Sequence, residues 1–277
     1  MLEIFQYDFM VRALIAGVIT AFIAPLIGIF LVVRRYANMA DTLSHVSLLG
    51  IAVGLSLGIN PFIGAIGTSL LAALGLEKLR KQKRLPGDTL LALFLSGSLA
   101  IAVVIMSFKK SFGVDLFSFL FGSITTVTPS DLLLMIILSV VIFITMFSFY
   151  KEFFLVSLND ELAQADGLHT SFLNILMALL AATVVVLSIR IVGVLLIGAL
   201  MVIPVVTALQ LRVSFLKTLV YAVCFSLASV IIGLISAYYL DLASGGTIVI
   251  VALIFFLATL FLTKRIYQIF LCAVFLL

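Results

Sequence analysis

The chain has 277 residues, 65% of them hydrophobic and 10% charged, and its mean hydropathy is +1.41. Soluble domains are about 45–50% apolar and about 25% charged, because a solvated exterior is built from polar atoms. The values exclude a soluble globular fold, a disordered chain and a disulfide-stapled secreted module, and leave a polytopic membrane protein. The net charge of +4 resides in basic clusters between apolar runs. There it orients a membrane protein and does not form a nucleic-acid footprint.

A crossing needs about 20 apolar residues. Runs of that kind occur at 9–33, 37–58, 61–79, 89–108, 130–150, 171–189, 191–211, 217–240 and 245–263. Arg190 interrupts the 171–211 region, and Pro204 can break its second half. The reading is therefore all-α, with eight or nine spans in a single transmembrane domain over 1–277. The first run is too long for a signal peptide and stays as a span. Arg34, Arg35, Lys78, Arg80, Lys81, Lys83, Arg84, Lys151, Arg212, Lys217, Lys264 and Arg265 alternate onto one side, which predicts the cytoplasmic face. Lys109 and Lys110, and with them Arg190, run against that scheme. Nine spans would put the N-terminus outside and the C-terminus in the cytoplasm. Cys224 and Cys272 read as small core hydrophobes. Asp88, Asp115 and Asp131 read as caps at span ends, and His169 as a solvated imidazole.

The second span holds the chemistry. If it begins near Arg35, Asp41 lies about 9 Å into the helix and His45 about 15 Å, near the middle of a bilayer core of ~30 Å. An aspartate at a helix centre costs ~2.5–3.5 kcal/mol on insertion scales, so a lipid-facing Asp41 is excluded. The i, i+4 spacing puts both side chains on one face. A carboxylate oxygen and an imidazole nitrogen suit a divalent transition metal. The competing arrangements are a buried Asp41–His45 pair, or Asp41 paired with Arg34 or Arg35. Two donors fall short of a structural zinc shell, but a transport site must also release its ion. Metal binding at such a pair needs a neutral imidazole, so protonation of His45 would oppose it.

A polar segment, 157–167, interrupts the apolar pattern. Ser157 or Asn159 can cap a short helix, Asp160 and Glu161 suit its first turn, and Gly167 can end it. No Walker-type phosphate loop, HExxH or GxSxG occurs in the sequence.

Residues 34–50, RRYANMADTLSHVSLLG, resemble the hallmark segment of membrane subunits of bacterial ABC importers for zinc, manganese and iron. IAPLIGIFLVV at 23–33, NPF at 60–62, VDLFSFLFGSITTVTPSDL at 114–132, NDELAQADGL at 159–168 and SGGTIVIV at 244–251 agree. The DTLSH form followed by SLLG is closer to the zinc branch. Ala40 and Leu49 depart from the commoner pattern, where Gly and Pro stand.

The resemblance implies a homodimer of permease chains in the cytoplasmic membrane. It further implies two cytoplasmic ATPase subunits, which hold the ATP, and an external metal-binding protein that delivers the cargo. Asp41 and His45 match its intramembrane metal positions, and no cofactor is permanently bound. The 157–169 region matches its cytoplasmic coupling helix, with Asp160, Glu161, Gln164, Asp166 and Gly167 as ATPase-docking residues. The chain itself is then a transport subunit and not an enzyme. Zn2+ is the expected cargo, with Mn2+ or Fe2+ next. The rival classes are an ATPase-independent channel or secondary transporter, in which Asp41 and His45 relay protons, and a non-transporting scaffold.

Overall fold

The computed structural model describes residues 7–82, 85–108 and 118–275, with backbone alone after Thr263. Every regular element among them is helical. In chain order the α-helices include α1 (Asp8–Val33), α2 (Asn38–Leu57), α3 (Pro61–Lys81), α4 (Gly87–Phe108) and, after a 3-10 turn at Ile124–Thr126, α5 (Pro129–Ser148). There follow α6 (Tyr150–Leu158), α7 (Asp160–Ala165), α8 (Thr170–Val192), α9 (Ile197–Leu209), α10 (Phe215–Leu240) and α11 (Ser244–Phe275). Among the described residues, eight helices are long and apolar enough to cross a membrane, and α9 is a shorter apolar helix.

Contacts between distant residues sort the connectors into two ends. At one end Arg34 meets Asp160, Arg80 stacks over Tyr36, and Phe215 packs on Phe30 and Phe154. At the other, Arg12 donates to the Val127 carbonyl, Asp131 meets Arg190, and the Ser244 hydroxyl donates to the Ile191 carbonyl. Helix α9 runs from this second end back to the first, where Gln210 accepts a hydrogen bond from Thr259. It therefore makes a return pass despite its 13 residues, which rise only about 20 Å. Most of the basic connectors gather at the first end, the cytoplasmic one by the positive-inside rule.

Two sequence expectations are corrected here. Arg190 does not end a span: α8 continues to Val192, because the guanidinium is neutralised by Asp131 at 3.5 Å and faced by the rings of Phe62 and Phe119. Pro204 does not break its helix either. The interruption lies at 193–196, where Gly193 adopts φ +85. The amides of Val194 and Leu195 there donate to the carbonyls of Phe119 and Leu120.

Small residues set the closest helix approach. A β-carbon on Gly50 of α2 would collide with the Gly64 carbonyl and the Thr68 hydroxyl of α3, and one on Gly64 with the Gly50 carbonyl. With no side chain between them the two backbones pack directly, the usual way for helices to gain contact in lipid. Thr68 also donates to the Val46 carbonyl (3.2 Å), and Ser69 to that of Leu43 (3.4 Å). Thus α2 is held on α3 along the face opposite its polar stripe. Asp131 caps α5 as expected, in a reciprocal capping box with Thr128. Asp88 lies in the first turn of α4, and Asp115 falls outside the described residues. Cys224 is exposed on α10 and not in the core; the side chain of Cys272 falls outside the described ones.

Candidate functional site

Helix α2 is buried on three sides and open on one. Met39, Ala40, Thr42, Leu43, Ser44, Val46, Ser47 and Leu48 are buried. Asp41, His45, Leu49 and Val53 are half-buried, and Asn38 is exposed. The open residues recur every three or four positions, so they form one stripe along the helix. The two ionisable side chains of α2 are both on it.

The helix begins at Asn38, which places Asp41 in its first turn. That is about 4.5 Å of helix rise before the carboxylate, and about 10 Å before His45. Both residues are therefore closer to the basic end than a start near Arg35 implies. The turn at 34–37 explains the difference. Arg35 takes φ 58 and the amide of Tyr36 returns to the Leu31 carbonyl at 2.7 Å, so these residues reverse the chain before α2 starts.

Neither pairing expected as an alternative forms among the described residues. Arg34 is committed to Asp160 and to the Asn174 side chain, and Asp41 makes no ion pair with His45. The Nδ1 atom of His45 is buried and has no hydrogen-bond partner. A second contact comes from Gly198 in the first turn of α9, which lies against the Asp41 carboxylate so closely that a β-carbon would overlap Oδ1. The start of a helix favours negative charge, which suits a carboxylate at this place. No group of three or more His, Cys, Asp or Glu side chains that could hold a metal occurs among the described residues. One chain thus presents one oxygen-donor and one nitrogen-donor side chain on the half-buried stripe of α2.

The polar segment folds as its caps dictate. The Asn159 side chain accepts from the amides of Glu161 (2.8 Å) and Leu162 (3.3 Å), so Asn159, and not Ser157, is the cap. Gly167 takes φ +83, a left-handed conformation that glycine reaches without a steric penalty. The amide of Leu168 then closes on the Ala163 carbonyl at 3.0 Å. Buried Ala163 seats α7 on the bundle, while Glu161, Asp166 and Gly167 face outward.

Two residues expected on that outer surface have partners within the chain. Asp160 turns to Arg34 (3.3 Å) and Arg80 (3.6 Å), and the Gln164 amide donates to the Thr170 hydroxyl at 2.9 Å. Composition hid the other half of the surface. Leu158 and Leu162 are each 59% exposed, and an apolar residue in an apolar chain gives no signal until its solvent exposure is known. His169 is exposed at the start of α8, as expected.

The order of these parts matches known proteins along almost the whole length. The profile of the ABC 3 transport family matches residues 6–263. The chain belongs to this family. It is 36% identical to MntC of Listeria monocytogenes, a manganese transport system membrane protein, over 94% of this chain and 93% of that protein. It is 30% identical to ZnuB of Haemophilus influenzae, a high-affinity zinc uptake system membrane protein, over 94% of this chain and 100% of that one. The structure of PsaBC from Streptococcus pneumoniae in complex with Fab superposes with a TM-score of 0.82 at 30% identity, covering 92% of this chain and 91% of the other. The ABC 3 chain is thus a multi-pass membrane permease of a metal-transporting ABC system, placed in the bacterial cytoplasmic membrane. Relatives named for manganese and for zinc share the likeness, which establishes the metal-permease family and does not single out zinc.

Proposed function

We propose that this permease carries Zn2+ into the cytoplasm along a pathway between two copies of the chain, each contributing Asp41 and His45. The observation that supports it is the open stripe of α2. Among the described residues, it bears a carboxylate with no ion-pair partner and an imidazole whose Nδ1 is unpartnered, on a helix whose other faces are packed. Two such pairs make four donors, the number a zinc ion takes, while water can replace any of them during release. Asp41 lowers the electrostatic cost of holding a dication away from water. The nitrogen of His45 disfavours magnesium and calcium, and at a site of mixed N and O donors zinc binds more tightly than manganese or iron.

The energy comes from ATPase subunits on the cytoplasmic side. They dock on the outer surface of α7, where Leu158 and Leu162 supply the apolar centre and Glu161, Asp166 and Gly167 the polar rim. An external metal-binding protein hands over the ion at the opposite end. A manganese reading is favoured by the 36% identity to the Listeria protein named for that metal.

The deciding measurement is uptake into vesicles containing the permease with its ATPase, for zinc and manganese separately and in competition. Zinc should enter and should suppress manganese entry. Asp41→Ala and His45→Ala should each abolish uptake. Transport at the parental rate in both variants would remove the site, and zinc-resistant manganese uptake would replace the cargo. Flux without the ATPase would point to a channel or secondary transporter.

A further inference from the structure

Helix α7 is short and packs mainly on its chain neighbours, α6 and α8. Among the described residues, its ion pairs to the turn before α2 and to α3 are made by one side chain. Asp160, the first residue of α7, accepts from Nη2 of Arg34 through both carboxylate oxygens, each at 3.3 Å. Arg34 caps the end of α1 and stands seven residues before Asp41. Its side chain is 8% exposed, and Nη1 donates to the Asn174 oxygen of α8 at 2.7 Å.

The turn that carries Arg34 is itself bound at both ends. Arg35 and Tyr36 return their amides to the Val32 and Leu31 carbonyls, while Met39 and Ala40 of α2 return theirs to Tyr36 and Ala37. Displacement of Arg34 therefore displaces the start of α2. A second cation, Arg80 of α3, lies 3.6 Å from Asp160, 3.3 Å from Glu77 and 4.5 Å from the Tyr36 ring centroid. Since α3 is locked to α2 through Gly50 and Gly64, Asp160 addresses both helices of the hairpin that presents Asp41 and His45.

We propose that Asp160, through Arg34 and Arg80, is a positioning residue that transmits movement of α7 into α2 and so to the metal pair. This rests on α7 being the ATPase-docking helix. A fully exposed ion pair would transmit little, being screened and flexible. Here the Arg34 guanidinium is buried and the carboxylate about one-third exposed; Nη2 meets both carboxylate oxygens while Nη1 is held by Asn174, so direction is restrained as well as distance. The pair also accounts for an aspartate turned inward on a surface that otherwise faces out.

The test uses the assembled importer in vesicles, reading metal delivered per ATP hydrolysed for whichever of zinc or manganese the parent carries. Asp160→Asn is nearly isosteric and keeps a residue tolerated at a helix start. It should lower that ratio by about tenfold, the scale of a coupling between sites, with the ATPase subunit co-purifying as in the parent. Asp160→Glu, which restores the carboxylate, should recover most of the ratio. A parental ratio in Asp160→Asn overturns the proposal. So does loss of the ATPase subunit from that variant, which would make Asp160 a docking residue. Failure of the docking assignment itself is read separately, as retention of the ATPase subunit by Leu162→Glu.

Discussion

Gly198 lies against the carboxylate of Asp41, and the contact leaves no space for a β-carbon. The two residues come from helices far apart in the chain, and the carboxylate rests where α9 starts. Replacing Gly by Ala inside a helix normally stabilises it, by roughly 0.5–1 kcal/mol. Gly198→Ala should therefore preserve folding and assembly while swinging the Asp41 carboxylate away from its position. The expected result is a raised KM for metal uptake at an unchanged thermal midpoint, measured on vesicles and in detergent respectively.

The α2–α3 contact should respond in the opposite way. A side chain at Gly50 meets backbone, the Gly64 carbonyl, which cannot rotate aside. Gly50→Val should destabilise the protein by about 2 kcal/mol or more, as overpacking does. A thermal midpoint in detergent would record this as a clear fall, whereas Gly67→Val, with open space around its β-carbon, should leave the midpoint in place.

At the outer end, Asp131 and Arg190 are 9% and 16% exposed and lie 3.5 Å apart. Removing one partner of such a pair leaves a charge buried, at a cost of about 3 kcal/mol. Asp131→Asn keeps a capping side chain for α5 but forfeits the charge. Its loss of stability should exceed that of Glu77→Gln, whose partner Arg80 retains Asp160. Parallel thermal denaturation of the two variants checks the order.

The docking surface gives a prediction on assembly. Leu162 is 59% exposed on α7, and its substitution removes no core contact. Leu162→Glu should release the ATPase subunit during purification and leave the permease monodisperse. Retention of the subunit would move the docking site elsewhere.

Much of this architecture is legible in order of sequence. Apolar runs of spanning length mark most crossings, since nothing but a membrane calls for them. The ends of α7 can be read from Asn159 and Gly167, because caps and left-handed turns are local chemistry. Asp41 and His45 stand out because ionisable residues are scarce. What sequence hides is pairing at a distance. Asp131 reads as a cap and is one, but its second role depends on Arg190, and no local pattern joins them. Arg190 accordingly looks like a span boundary. Asp160 reads as a surface acid for the same reason, its cation being 126 positions away. Leu158 and Leu162 escape notice because apolar residues are the background of this chain.

The interruption at 193–196 bears on how the protein is built as it enters the membrane. Thirteen residues of α9 are too few to span a core of ~30 Å unaided, and two amides of the stretch before them, those of Val194 and Leu195, find their partners outside the helix. The partners of Val194 and Leu195 are the carbonyls of Phe119 and Leu120, which leave the ribosome long before. Helix α9 can settle at its final depth only once that earlier segment is in place to receive it. Insertion of this pass is thus a late event, directed by protein already embedded in the bilayer and not by the lipid itself.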